Sequence, residues 1–142
     1  MGNEDRKEDV EEVVDAIKNG LTEANDIIKE IGNKMMDCAN LLRVEQSYSL
    51  FTAFSEIIKN LSDFMEFIKE VRRGVEHLNL KGYNVSMEPL LYWDRSLNLF
   101  KETLSAFESQ DWITLSDLMQ YELHPLLLEG EKGLSDLKES LQ

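Results

Sequence analysis

The sequence predicts an all-α protein: an up-down-up-down four-helix bundle with a long N-terminal helical hairpin and a Pro-kinked last helix. Three observations carry this. Apolar residues recur at alternating steps of 4 and 3 over long stretches, the spacing that lines one face of a helix. No apolar-polar alternation persists long enough to make a strand. The helical stretches are joined by short polar segments, which make sequential helices antiparallel neighbours.

The first helix covers about residues 5–42, with a seam of Val10, Val14, Ile17, Leu21, Ala24, Ile28, Ile31, Met35, Cys38 and Leu42. Ile27 and Met36 widen the stripe beyond a strict coiled-coil seam, which suits a bundle. Gly20 and Gly32 each weaken a helix by about 1 kcal/mol relative to Ala, but the phase survives across both. Asp5, Glu8 and Asp9 suit the positive end of the helix dipole.

The second helix covers about 46–79, with Leu50, Phe54, Ile57, Leu61, Phe64, Ile68, Val71, Val75 and Leu78 on its seam. Between Leu42 and Leu50 the phase slips by one residue, which places a tight turn near 43–47 although no Gly or Pro marks it. The alternative, one helix of some 70 residues, would expose a seam that only a second copy could cover.

Residues 79–88, NLKGYNVSME, form a loop around the turn formers Gly82 and Asn84. Ser86 can cap a third helix over about 87–108, with Pro89 in the first turn, where its missing N–H does no harm. Its seam reads Leu90, Trp93, Leu97, Phe100, Leu104 and Phe107. Asp111 caps the fourth helix, about 111–139. The first two helices are longer than the third, so either the tail after Pro125 or a second copy must cover the far end of the hairpin.

The fourth helix contains the least ordinary stretch, DWITLSDLMQYELHPLLL (111–128). Pro125 cannot donate to the carbonyl of Tyr121 and its ring crowds that carbonyl. His124, preceding it, is disfavoured at helical angles, so a kink is expected near 124–125. Glu122 falls near the seam position after Leu115 and Met119, where a carboxylate must be paired or protonated. Arg95, Asp117, Tyr121, Glu122 and His124 are the candidate lining of a polar groove; a helix-end ion pair or an exposed edge position explains Glu122 without any function.

The run D-W-x-x-L-x-D-L-x-x-Y-E-L-x-P-L-L, Asp111 to Leu127, resembles a motif in a family of uncharacterised helical proteins from Firmicute-type bacteria. The resemblance implies a cytoplasmic bacterial protein with no assigned activity, and it supplies no catalytic residues.

Composition narrows the function classes. The chain of 142 residues fits one domain, 1–142, and is 42% apolar, enough for a core. Its net charge of −13, from 15 basic and 28 acidic residues, disfavours nucleic acid and anionic membrane surfaces. The basic cluster Lys69, Arg72 and Arg73 fits a solvated helix face. The single cysteine, Cys38, cannot form an internal disulfide, and a reducing cytoplasm fits best. MGNEDRKEDVEEVV lacks the apolar core of a signal peptide and the serine or threonine of a myristoylation motif.

No chemical constellation emerges. A carboxylate-bridged di-metal bundle needs Glu-x-x-His on two helices, and neither His77 nor His124 has a Glu three residues before it. The glycine patterns that cradle phosphates are missing. No catalytic residue, metal or cofactor is assigned. The chain reads as a non-enzymatic helical interaction or assembly protein whose partner is another protein or a second copy of itself. Two alternatives are an acidic export-type chaperone or adaptor that binds an amphipathic partner helix, and a small-ligand bundle using the groove near Glu122.

Overall fold

The computed structural model describes residues 2–141, with side chains from Asp9 onward. Asp5 and Glu8, read above as favourable to the helix dipole, have side chains outside the described range. The elements are α1 (Gly2–Leu42), α2 (Tyr48–Leu80), a 3-10 segment (Glu88–Arg95) that runs into α3 (Ser96–Glu108), then α4 (Trp112–Asp117), a π-helical segment (Leu118–Leu123) and α5 (His124–Ser140). No strand forms among the described residues, and no helix there is long and apolar enough to cross a membrane.

α1 and α2 form the hairpin rather than one continuous helix. The Phe67 ring lies on Gly20, Ile17 lies on Gly74, and His77 meets Asp9, so the chains run antiparallel. Polar side chains make the turn without Gly or Pro. Gln46 Nε2 donates to the Leu42 carbonyl at 2.8 Å and closes α1, while Ser47 Oγ accepts from the Leu50 N–H at 3.2 Å and caps α2. All of the predicted α2 seam is buried, as is the α1 seam apart from the half-buried Val14.

After α2, Asn79 clips the loop by donating to the Val85 carbonyl (3.0 Å) and accepting from its N–H (2.8 Å). Gly82 takes φ +98°, which any larger residue resists. The four rods close as a ring. α1 contacts α2 and the last rod, and the 3-10/α3 rod contacts α2 and the last rod. Ser116 Oγ donates to the Ala39 carbonyl at 2.6 Å, and Lys29 approaches Glu131 at 3.9 Å, so the tail after Pro125 lies along α1. Leu134 and Leu137 on that tail are fully buried.

Two local departures from α geometry correct the predicted seams. The third rod begins as a 3-10 helix, whose three residues per turn keep Leu90, Trp93 and Ser96 on one face. The buried face then continues through Thr103 and Ala106. Leu97, expected in the core, is consequently 58% exposed, and Leu104 is only half-buried.

In the fourth rod the expected break at Pro125 is replaced by a π turn. The His124 N–H donates to the Met119 carbonyl, five residues back, and His124 keeps helical angles (φ −62°, ψ −48°). The wider turn makes room for the pyrrolidine ring and leaves the ladder loose where proline offers no donor. It also inserts one residue into the phase. The buried position after Leu115 and Met119 therefore goes to Leu123, and Glu122 turns outward into water.

Candidate functional site

The five residues nominated from the sequence do not converge on one site. Arg95 and Glu122 border a groove of about 420 Å³ shared with Asn98, Leu99, Pro125, Leu126 and Glu129. Arg95 is already committed there, donating to Glu129 at 3.0 Å. Glu122 is exposed, so water solvates its carboxylate. Asp117 sits at the end of the bundle, where Arg43 donates to it at 2.7 Å and to Gln120 at 3.1 Å. Tyr121 points into solvent. His124 lies on the other side of the rod, against Gly32 of α1, in a small hollow of about 220 Å³ bordered by Lys29 and Glu131.

The basic cluster is internally neutralised. Lys69 pairs with Glu66, Arg72 with Asp94 and Arg73 with Glu70. Asp111 caps α4 as the sequence indicates. Its carboxylate accepts from the Thr114 hydroxyl and N–H, and those hydrogen bonds hold its pKa below the usual carboxylate value. Among the described residues no three His, Cys, Asp or Glu side chains come together to hold a metal ion.

Cys38 is buried in the α1 seam, and desolvation pushes its thiol up to about 11. The native thiol is expected to resist iodoacetamide at pH 8 and to react once urea unfolds the chain, as mass spectrometry of the adduct would show. The sign of its pH linkage follows from the raised folded pKa. Its contribution to stability is intact below the ordinary value of 9.0 and is lost as pH climbs toward about 11, because the unfolded thiol ionises first.

A wider concavity lies elsewhere, on the outer face of the hairpin. It runs between α1 and α2 with a volume of about 500 Å³. Ala24, Ile27, Ile31, Phe64 and Phe67 form an apolar floor, and Gly20 closes one end beneath the Phe67 ring. Ile27 is 45% exposed, a large β-branched side chain standing in water beside its helix partner. Glu23, Glu30 and Asp63 occupy the rim, opposed by one cation, Lys34, which pairs with Glu30 at 3.1 Å. Glu23 and Asp63 form no ion pair among the described residues.

The sequence held a signal for this groove. Gly20, Ile27 and Lys34 are spaced by seven, as are Asn60, Phe67 and Gly74, so each trio shares a stripe beside its main seam. Ile27 widens the α1 stripe; without the antiparallel pairing, nothing marks Phe67 as lining the same groove.

A protein-family model described as a domain of unknown function (DUF8042) matches residues 19–132. No curated protein and no solved structure matches the chain.

Proposed function

The chain belongs to the DUF8042 family, whose matched region takes in both walls of the hairpin groove, and we propose that it is a non-enzymatic helical interaction protein that receives a protein partner in that groove. One observation carries this. The hairpin buries its seams within the chain apart from Val14, yet Ile27 and the half-buried Phe67 stay open on a concave apolar floor. Apolar floors of this kind between two helices take the apolar face of a third helix. An acidic export-type chaperone or adaptor is one form this activity would take. The reducing cytoplasm of a bacterium is the fitting compartment, given one buried cysteine and the resemblance noted for Asp111–Leu127.

A small-ligand site around Glu122 has less support, because Arg95 is already paired and Glu122 already solvated. Affinity capture from the native cell tests the proposal. The protein is expected to retain specific partners that an Ile27→Asp variant, folded by circular dichroism, fails to retain. Identical recovery by the two proteins, or recovery of background alone, would remove the groove from the function.

A further inference from the structure

We infer that the occupant of the α1–α2 groove is a basic amphipathic helix of about four turns, recognised by its apolar stripe and by Lys or Arg side chains flanking that stripe. This rests on the groove being a partner site, as proposed above, and adds the chemistry of the partner.

The length follows from the walls. Lining residues on α1 run from Gly20 to Lys34, about 21 Å at 1.5 Å per residue, and a helix of about 14 residues spans that distance. The floor offers an apolar track along Ala24, Ile27 and Ile31, crossed by the Phe64 and Phe67 rings, which fits side chains at i, i+3, i+4 and i+7 of a docked helix.

The charge follows from the rim. Lys34 is held by Glu30, while Glu23 and Asp63, on opposite walls, form no ion pair among the described residues. A helix laid between them places its flanking side chains against both. Cations there gain attraction, whereas carboxylates meet like charge. The same rim argues against a second copy docked groove to groove, since a two-fold axis would bring Glu23, Glu30 and Asp63 against their own duplicates. The cleft of about 330 Å³ beside Arg72 offers no comparable charge, because its Lys69 and Arg72 are paired with Glu66 and Asp94.

The test uses the full chain and two fluorescent designed peptides of about 16 residues. Both carry leucines at i, i+3, i+4, i+7 and i+11. One has lysines and the other glutamates beside the leucines. In anisotropy titrations the lysine peptide is expected to bind at least about tenfold tighter than the glutamate peptide, with an affinity that falls as salt rises. The triple variant Glu23→Gln, Glu30→Gln, Asp63→Asn should abolish that preference. A control with the same charge change elsewhere, Glu102→Gln, Glu108→Gln, Glu139→Gln, should keep it and so exclude general attraction to an acidic surface. Ile27→Asp should weaken both peptides.

Distinct failures read differently. If both peptides bind equally and both are lost in Ile27→Asp, the groove is a partner site and the basic partner is wrong. If the triple variant and its control lose the preference alike, the rim is not the recognising element. If neither peptide binds, or Ile27→Asp changes nothing, the groove itself is not a docking site and both proposals fall.

Discussion

Replacing Trp93 by alanine is expected to lower the unfolding free energy by about 3–5 kcal/mol, the largest loss from any single truncation in this chain. The indole is 2% exposed and stands where three rods meet. It is carried by the 3-10 segment and packs against the Phe64 ring of α2 with centroids 5.0 Å apart. Its far edge lies on Gly130 of α5, so close that a Cβ there would sit 2.3 Å from Cζ2. Removing it leaves a cavity that three helical walls cannot collapse to fill. Its N–H meets no hydrogen-bond acceptor among the described residues, and a buried donor left unpaired costs stability. Trp93→Phe discards that orphan donor and keeps most of the aromatic area, so its loss should be about 1 kcal/mol, well below that of the alanine variant. Urea unfolding with an unchanged m-value reads both. Equal losses would mean that the ring's size is not what holds the rods together.

The sequence reports this fold well where the helix is regular and poorly where its pitch changes. Along α1 and α2 every step of 3 or 4 lands on the same face, because uninterrupted α geometry carries the phase through Gly20, Gly32 and Gly74 alike. On the last two rods the same counting fails by one residue, in opposite directions. A 3-10 turn advances the phase, so Ser96 replaces Leu97 inside. A π turn delays it, so Leu123 replaces Glu122 inside. Both slips show in the spacing of the buried residues, but only the π slip shows in the apolar pattern. Met119 to Leu123 is a second consecutive step of 4, and Leu90, Trp93, Ser96 is a pair of steps of 3. The second is masked because a serine occupies the buried position, its hydroxyl donating to the Trp93 carbonyl. Thr103 hides the next one in the same way, donating to the Leu99 carbonyl at 2.6 Å.

Glu122, His124 and Pro125 do not form one polar patch, because the rod divides them between two sides. Glu122 and Pro125 both line the Arg95 groove, and His124 faces α1. Positions three apart share a side of a helix, as Glu122 and Pro125 do, whereas His124 lies about 200° around the axis from Glu122 and faces away. The hairpin groove was harder to see because it belongs to two helices at once. Neither Ile27 nor Phe67 is unusual in its own helix, and their opening onto one groove depends on the register of the hairpin.

Gly133→Ala is expected to destabilise the protein by about 2 kcal/mol, although alanine is the better helix former by about 1 kcal/mol. The reason lies in what the new methyl would meet. A Cβ on Gly133 would sit 2.3 Å from the Pro89 carbonyl oxygen and 3.2 Å from the Tyr92 ring. The oxygen is backbone, fixed at the start of the 3-10 segment, so relief requires that segment to move off α5. Movement there also disturbs Trp93, four residues along the chain. Gly20→Ala is the informative contrast. Its Cβ would meet the Phe67 ring at 2.9 Å, but that ring is half-buried and can swing toward solvent. The helix-propensity gain should then leave Gly20→Ala neutral or more stable by up to about 1 kcal/mol. Thermal unfolding should separate the two variants by several degrees, with Gly133→Ala lower by about 8 °C. Two equal shifts would mean that the α5 contact with the 3-10 segment is looser than a 2.3 Å approach demands, because a packed backbone oxygen cannot yield as a half-buried ring can.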